Sequence, residues 1–254
     1  MPAPRPHWST ITVAGRECEL FAPPEPAVGR AVIYLHDLAE ERLGDLAVLR
    51  DPLEAARLPV LAPRCGRSWW LDRPMPGFAA PATPERHVVD AVRAEVERRF
   101  AVRPPGIALV GVGMGGQGAL RIAYRHPAIF SVAAAIAPAV DFHRGMREAG
   151  DRADGELFDT LWEAYGDVER ARQDTAILHV HPLNWPRHQF FASDPADERW
   201  HDGADRLHGK LVALGIPHAV MLEHRATFMV DAAADAVRFV QAALDQEARR
   251  VPTA

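Results

Sequence analysis

The sequence predicts an α/β fold, a mostly parallel sheet flanked by helices. Three observations carry this. Six short apolar runs, at 31–35, 58–62, 107–110, 132–137, 189–192 and 218–222, alternate with helical patterns. The run Ala31-Val32-Ile33-Tyr34-Leu35 is apolar throughout, as in a strand buried on both faces. The chain has 254 residues and is 48% hydrophobic, which suits one large domain with a full core. We therefore expect a single domain over 1–254. A polar excursion over 139–188, after the sixth strand, is expected to be a small lid or pocket insert.

The elements follow in order. Trp8 to Ala22 holds two alternating runs split by Ala14-Gly15-Arg16, the pattern of a β-hairpin, and Pro23-Pro24-Glu25-Pro26 is a rigid loop. The strand at 31–35 leads into His36-Asp37-Leu38-Ala39-Glu40. Residues 44–57 read as a helix and Pro59 to Pro63 as the next strand. The loop after it, Arg64 to Pro74, contains Trp69 and Trp70. Two adjacent tryptophans do not fit one core slot, so they are expected to line a cleft where loops gather at strand ends; either one singly would also suit a satellite core. Thr83 reads as an N-cap with Pro84 at the first helical position, and Val88, Val89, Val92 and Val96 run down one face to Phe100. Within the excursion, Leu157 to Tyr165 and Val168 to Gln173 have short helical patterns. A helix over 204–214 ends at Gly215, and a last helix runs from about Phe228 to Ala248.

The most informative stretch is Ala108-Leu109-Val110-Gly111-Val112-Gly113-Met114-Gly115-Gly116-Gln117-Gly118-Ala119-Leu120. An apolar strand ends in a glycine-rich corner and leaves into a helix that Pro127 stops. That is the shape of G-x-S-x-G, a turn that lifts a serine hydroxyl above a sheet and needs small flanking residues. Gly111 and Gly115 occupy the flanks, and Gly113 stands where the serine would be. Glycine has no side chain with which to attack a carbonyl. Gly111, Gly113 and Gly116 also match the dinucleotide spacing G-x-G-x-x-G, but no acid lies at 130–135 and the strand is mid-chain. No G-K-[ST] follows, which excludes a phosphate loop.

With these residues the chain resembles the α/β-hydrolase superfamily. The run Gly113 to Leu120 is similar to that of the esterase D-like group, whose corner reads G-x-S-M-G-G-x-G-A-L. The resemblance implies hydrolysis of carboxylic or thiol esters, a small-molecule ester or related ligand, and no metal or organic cofactor. It places the nucleophile at Gly113, the acid at Asp197 a few residues past the 189–192 run, and the base at His224 between the last strand and the last helix. Asp194, just before Pro195, reads as a turn residue. The backbone N–H groups of Leu38 and Met114 would form the oxyanion hole. Asp37 replaces the glycine of the His-Gly pair that often opens that loop, and His36, Asp37, Trp69 and Trp70 would line the pocket. A plain strand-end turn also fits 36–40, and an exposed loop histidine also fits His224.

Two readings stay open. One is a non-catalytic pseudo-hydrolase that binds a ligand or partner. The other is an esterase, either acting without the corner serine or carrying a serine-to-glycine substitution made for study. Ser68 and Cys65 are then the nearest surrogate nucleophiles, although neither sits on a turn built to expose it.

Composition narrows the classes further. The net charge of −5 does not favour nucleic acid or an anionic membrane, and no apolar run approaches the length of a membrane span. Met1 to His7 has no apolar leader segment, so a cytoplasmic protein is expected, with Cys18 and Cys65 as free thiols. His179, His181 and His188 fall close together, but Pro182 intervenes and no carboxylate or cysteine completes a metal motif, so they read as loop histidines. No feature sets an oligomeric state.

Overall fold

The computed structural model describes residues 7–78, 82–148 and 155–250. The leader reading over residues 1–6, and residues 149–154 of the expected insert, lie outside that range. Eight strands form one sheet in the order β1-β2-β4-β3-β5-β6-β7-β8. β1 (Trp8–Val13) and β2 (Arg16–Phe21) are the expected hairpin, turned at Ala14-Gly15 where both residues have positive φ. β2 pairs antiparallel with β4 (Val60–Pro63). Every other pairing, through β3 (Ala31–Leu35), β5 (Ile107–Val112), β6 (Val132–Ile136), β7 (His188–Ala192) and β8 (Ala219–Met221), is parallel. β5 is central, hydrogen-bonded to β3 on one side and β6 on the other. This is the α/β architecture that the apolar runs imply.

Helices cover both faces. α1 (Ala47–Ala55) and α9 (Phe228–Arg250) bury Leu49, Leu53, Ala236, Val240 and Leu244 against Tyr34, Val110 and Ala134. The opposite layer holds α2 (Pro84–Arg86), a wide six-residue turn His87–Val92, α3 (Arg93–Phe100) and α4 (Met114–Arg125). Val88, Val92 and Val96 pack there on Ile33 and Leu109. Thr83 caps α2 as expected, its hydroxyl accepting the Arg86 N–H at 3.2 Å. Between β6 and β7 come α5 (Phe142–Glu148), α6 (Asp159–Tyr165) and α7 (Val168–Arg172); α8 (His201–Ala213) follows β7. Among the described residues, no helix is long and apolar enough to cross a membrane.

A buried ion network ties α4 to the segment after α7. Arg121 of α4, only 1% exposed, pairs with fully buried Glu85 and with Asp174, whose carboxylate also takes the Tyr165 hydroxyl at 2.7 Å and His179 at 3.1 Å. Burial pushes the Glu85 carboxyl up, but His126, Arg121 and Arg125 overcome this and hold it below the usual carboxylate range. His179 thus serves a carboxylate, His188 serves Glu247 at 3.0 Å, and His181 accepts the Leu183 N–H at 3.2 Å. Among the described residues, no cluster of His, Cys, Asp or Glu is arranged to hold a metal ion.

The tightest packing is at the corner between β5 and α4. A Cβ on Gly115 would lie 1.9 Å from the Leu35 carbonyl oxygen, and one on Gly118 would lie 2.5 Å from the Trp70 Cβ. Backbone and β-carbon cannot retreat as a side-chain tip can. Gly115→Ala is therefore expected to destabilise the chain by at least the ~1–3 kcal/mol of core overpacking. Gly209→Ala, in α8 with nothing within 4 Å of the new methyl, should instead stabilise by roughly 0.5–1 kcal/mol. Urea unfolding midpoints of the two variants check both signs.

Candidate active site

The strand-to-helix corner is sharp. Gly113 has φ +54° and ψ −115°, and it is the last residue before α4. Its N–H donates to the Ile136 carbonyl at 2.9 Å, and its own carbonyl accepts from Gln117 and Ala139 at 3.0 Å each. These bonds fix the corner between β6 and the start of α4. A non-glycine residue at such angles costs on the order of 1–3 kcal/mol, which glycine avoids.

The loop after β3 supplies the principal finding. The Asp37 side chain turns back onto the corner, and its Oδ1 accepts the Met114 N–H at 2.8 Å. The Leu38 N–H lies beside this carboxylate and, like Met114, favours its charged form. Of the two backbone N–H groups that the resemblance assigns to an oxyanion hole, Met114 is bonded to Asp37 and Leu38 lies next to it. A Cβ built on Gly113 would lie 2.1 Å from Asp37 Oδ1 and 2.4 Å from its carboxyl carbon. The carboxylate fills the space that a side chain at 113 would enter. Burial raises the Asp37 carboxyl pKa above its ordinary value, the Met114 and Leu38 N–H groups oppose this, and the nearby negative charges of Glu41 and Asp197 add to it.

His36 does not border the cavity. It is 3% exposed; its Nε2 accepts the Cys65 N–H at 3.1 Å, so its Nδ1–H donates to the Asp37 carbonyl at 2.9 Å. Trp69 and Trp70 are also withdrawn, both fully buried. Both have positive φ, 54° and 56°, and these two left-handed steps send the neighbouring rings into separate slots. Trp69 packs on Phe142, Phe158 and Trp200, while Trp70 covers Gly118 and donates its ring N–H to the His36 carbonyl at 3.2 Å. The expectation that adjacent tryptophans, not fitting one core slot, line a cleft overlooked these two steps.

The acid and the histidine also differ from expectation. His224 Nδ1 meets Asp194, at 2.8 and 3.1 Å from its two carboxylate oxygens. The sheet register explains the pairing. Ala192 ends β7 beside Met221, the end of β8, so residues two and three past those ends are neighbours. Asp197, the residue that sequence reasoning selected, lies further on, where its Oδ1 accepts the Arg199 N–H at 3.0 Å and the Trp200 N–H at 3.2 Å. It caps the approach to α8. The Asp194 carboxyl is held below its ordinary value by the Ala196 N–H and then by His224. The His224 side chain is 66% exposed.

A cavity of about 410 Å³ opens in front of the corner. Gly113, Asp37 and Asp197 line it, with Tyr34, Glu41, Arg199 and Trp200, over an apolar floor that includes Leu49, Val112 and Met229. Sequence reasoning missed Tyr34, Glu41, Arg199, Trp200 and Met229. Only Tyr34 carried a signal, a phenol inside an otherwise aliphatic strand. Ser68 is fully buried and Cys65 nearly so; burial pushes the Cys65 thiol up, and neither residue borders the cavity. Cys18 and Cys65 are both free thiols.

Comparison with known proteins places the chain. The model of the family described as "Putative esterase" matches residues 55–212. No curated protein sequence matches significantly. Solved structures of the same fold include FphF, a fluorophosphonate-binding serine hydrolase of Staphylococcus aureus, with TM-score 0.69 and 13% identity over 92% of this chain and 98% of that one. An S-formylglutathione hydrolase from Agrobacterium tumefaciens gives 0.68 and 18%, over 93% and 94%. Mycobacterium tuberculosis MPT51 (FbpC1) gives 0.69 and 16%, over 93% and 98%. At these identities the likeness is one of fold.

His36 offers a check on the loop. Burial lowers its pKa to about 4, the Asp37 carbonyl opposes this, and the Arg64 charge lowers it further. The unfolded imidazole, near 6.5, binds more protons than the folded one between those values, so this contribution to stability is present above pH ~6.5 and lost as pH falls towards 4. Imidazole 15N NMR should show His36 as a neutral Nδ1–H tautomer at pH 6; a titration near pH 6.5 would contradict the arrangement.

Proposed function

The chain belongs to the "Putative esterase" family, and we propose that within it this is a member whose serine-hydrolase site is closed from inside. The observation that carries the reading is the Asp37 carboxylate, bonded to the Met114 N–H beside Leu38 and set against Gly113. A serine hydrolase needs a hydroxyl on the corner, two N–H donors free to receive developing negative charge, and an imidazole to take the hydroxyl proton. Gly113 supplies no hydroxyl. The Met114 donor already holds an anion of the same sign as the tetrahedral intermediate. In this reading Asp194 takes the place of the acid and orients His224, a base with no hydroxyl to deprotonate.

The alternative of an active esterase with one substituted residue fits less well. A serine-to-glycine change accounts for residue 113 alone. The Cβ of a serine there would lie 2.1 Å from Asp37 Oδ1, so Asp37 as placed and any side chain at 113 exclude each other. Gly113 and Asp37 are adapted to one another, which favours a chain that has given up both its nucleophile and its oxyanion hole. Cys65 and Ser68 do not rescue the chemistry, since both are buried away from the cavity. What the site offers instead is a cavity, so binding of a small ester-like or related molecule without turnover is the activity we assign.

The test is labelling with a fluorophosphonate and turnover of a p-nitrophenyl ester. The unmodified chain should neither label nor show a burst, and its rate should fall below the ~10³–10⁴-fold over water that an intact oxyanion hole retains without its triad. Gly113→Ser alone should fold with the Asp37 carboxylate pushed aside but still crowding the corner, and should stay inert. Gly113→Ser combined with Asp37→Gly should label. Labelling of the unmodified chain, or full activity from Gly113→Ser alone, contradicts the reading.

A further inference from the structure

We propose that the cavity in front of Gly113 takes an organic ammonium, a cation with a compact apolar body, seated between the Asp37 carboxylate and the Tyr34 hydroxyl. The inference rests on the closed-site reading, because the carboxylate that blocks catalysis becomes the group that binds.

The charge of the lining is the first argument. Asp37, Glu41 and Asp197 face one guanidinium, Arg199. Asp37 and Glu41 have no cationic partner among the described residues. Arg199 is engaged with aromatic rings, its guanidinium carbon 5.7 Å from the Trp200 ring centroid and 6.0 Å from that of Phe158, so one cation of the lining stands against three carboxylates. A neutral or anionic guest would leave the carboxylates repelling one another across a partly dry space; a cation relieves that repulsion and the desolvation of Asp37 together.

Tyr34 is the second and independent argument. It is 1% exposed and borders the cavity, and no described residue hydrogen-bonds its hydroxyl. Buried phenols as a rule find a partner. Burial pushes the Tyr34 phenol well above its ordinary range, so it stays neutral and can accept an ammonium N–H. The floor is apolar, and Tyr34 and Trp200 bring to the lining aromatic rings of the kind that attract a cation. A cavity of about 410 Å³ suits a guest the size of a phenylalkyl amine.

Isothermal titration calorimetry of the full chain with 2-phenylethylammonium, 2-phenylethanol and phenylacetate tests the inference, three probes of one shape and three charges. The ammonium is expected to bind about tenfold or more tighter than the alcohol, and phenylacetate more weakly still. Asp37→Asn, whose amide oxygen can still accept the Met114 N–H, should remove the preference for the ammonium over the alcohol. Tyr34→Phe, which keeps the ring packing, should weaken the ammonium several-fold. Equal or tighter binding of the alcohol or phenylacetate overturns the proposal, as does a preference for the ammonium that survives in Asp37→Asn, or no ammonium binding up to about 10 mM. Fluorophosphonate labelling is read on the same sample. Labelling defeats the closed-site reading; an unlabelled chain that ignores the ammonium defeats only this inference.

Discussion

The hydrogen bond from the Met114 N–H to the Asp37 carboxylate joins the two strand ends on which the site is built. β3 and β5 are hydrogen-bonded neighbours, with Leu35 beside Gly111, so the loop after one and the corner after the other are held side by side. The first N–H groups of a helix have no intrahelical partner and attract negative charge. Met114 opens α4, and Asp37 is the anion within reach. The close approach demands small residues: Gly111 and Gly115 touch each other's backbone, and Gly115 lies against the Leu35 carbonyl. Gly113 leaves room for the carboxylate itself. The corner thus joins sheet pairing, helix start and buried charge in one contact.

That contact turns the usual logic of such a corner around. Donors arranged for a charge that exists only in a transition state are effective because nothing else holds them. In the proposed reading a permanent carboxylate on the Met114 donor stabilises the resting state and keeps that donor from a passing substrate. The protein retains the structural framework of a hydrolase, including a histidine paired to an acid at the ends of β7 and β8. In the proposed reading that framework is turned from turnover to occupancy.

Much of the fold was readable in the sequence because it follows from local rules. Apolar runs of strand length, separated by helical periods, identify the parallel sheet, and the spacing of Gly111, Gly113 and Gly115 identifies the corner. Where reasoning departed from the structure, the cause was the direction of a side chain. Asp197 was favoured over Asp194 because distance along the chain was counted, whereas the register of Ala192 with Met221 decides which carboxylate meets His224. Trp69 and Trp70 were expected in a cleft because two left-handed residues in succession cannot be foreseen from their identities. Asp37 was seen as a missing glycine, and its role depends on a return of its side chain onto α4 that no local pattern encodes.

The amide resonances of Met114 and Leu38 test the central contact most directly. If both N–H groups donate to Asp37, their proton shifts should move together through one titration with a midpoint above 3.8, the ordinary value for this carboxyl, because burial raises it. The common titration should vanish in Asp37→Asn. Two amides that do not respond to this carboxyl, or that titrate independently, would mean that Asp37 does not hold the pair of donors and that the site is open.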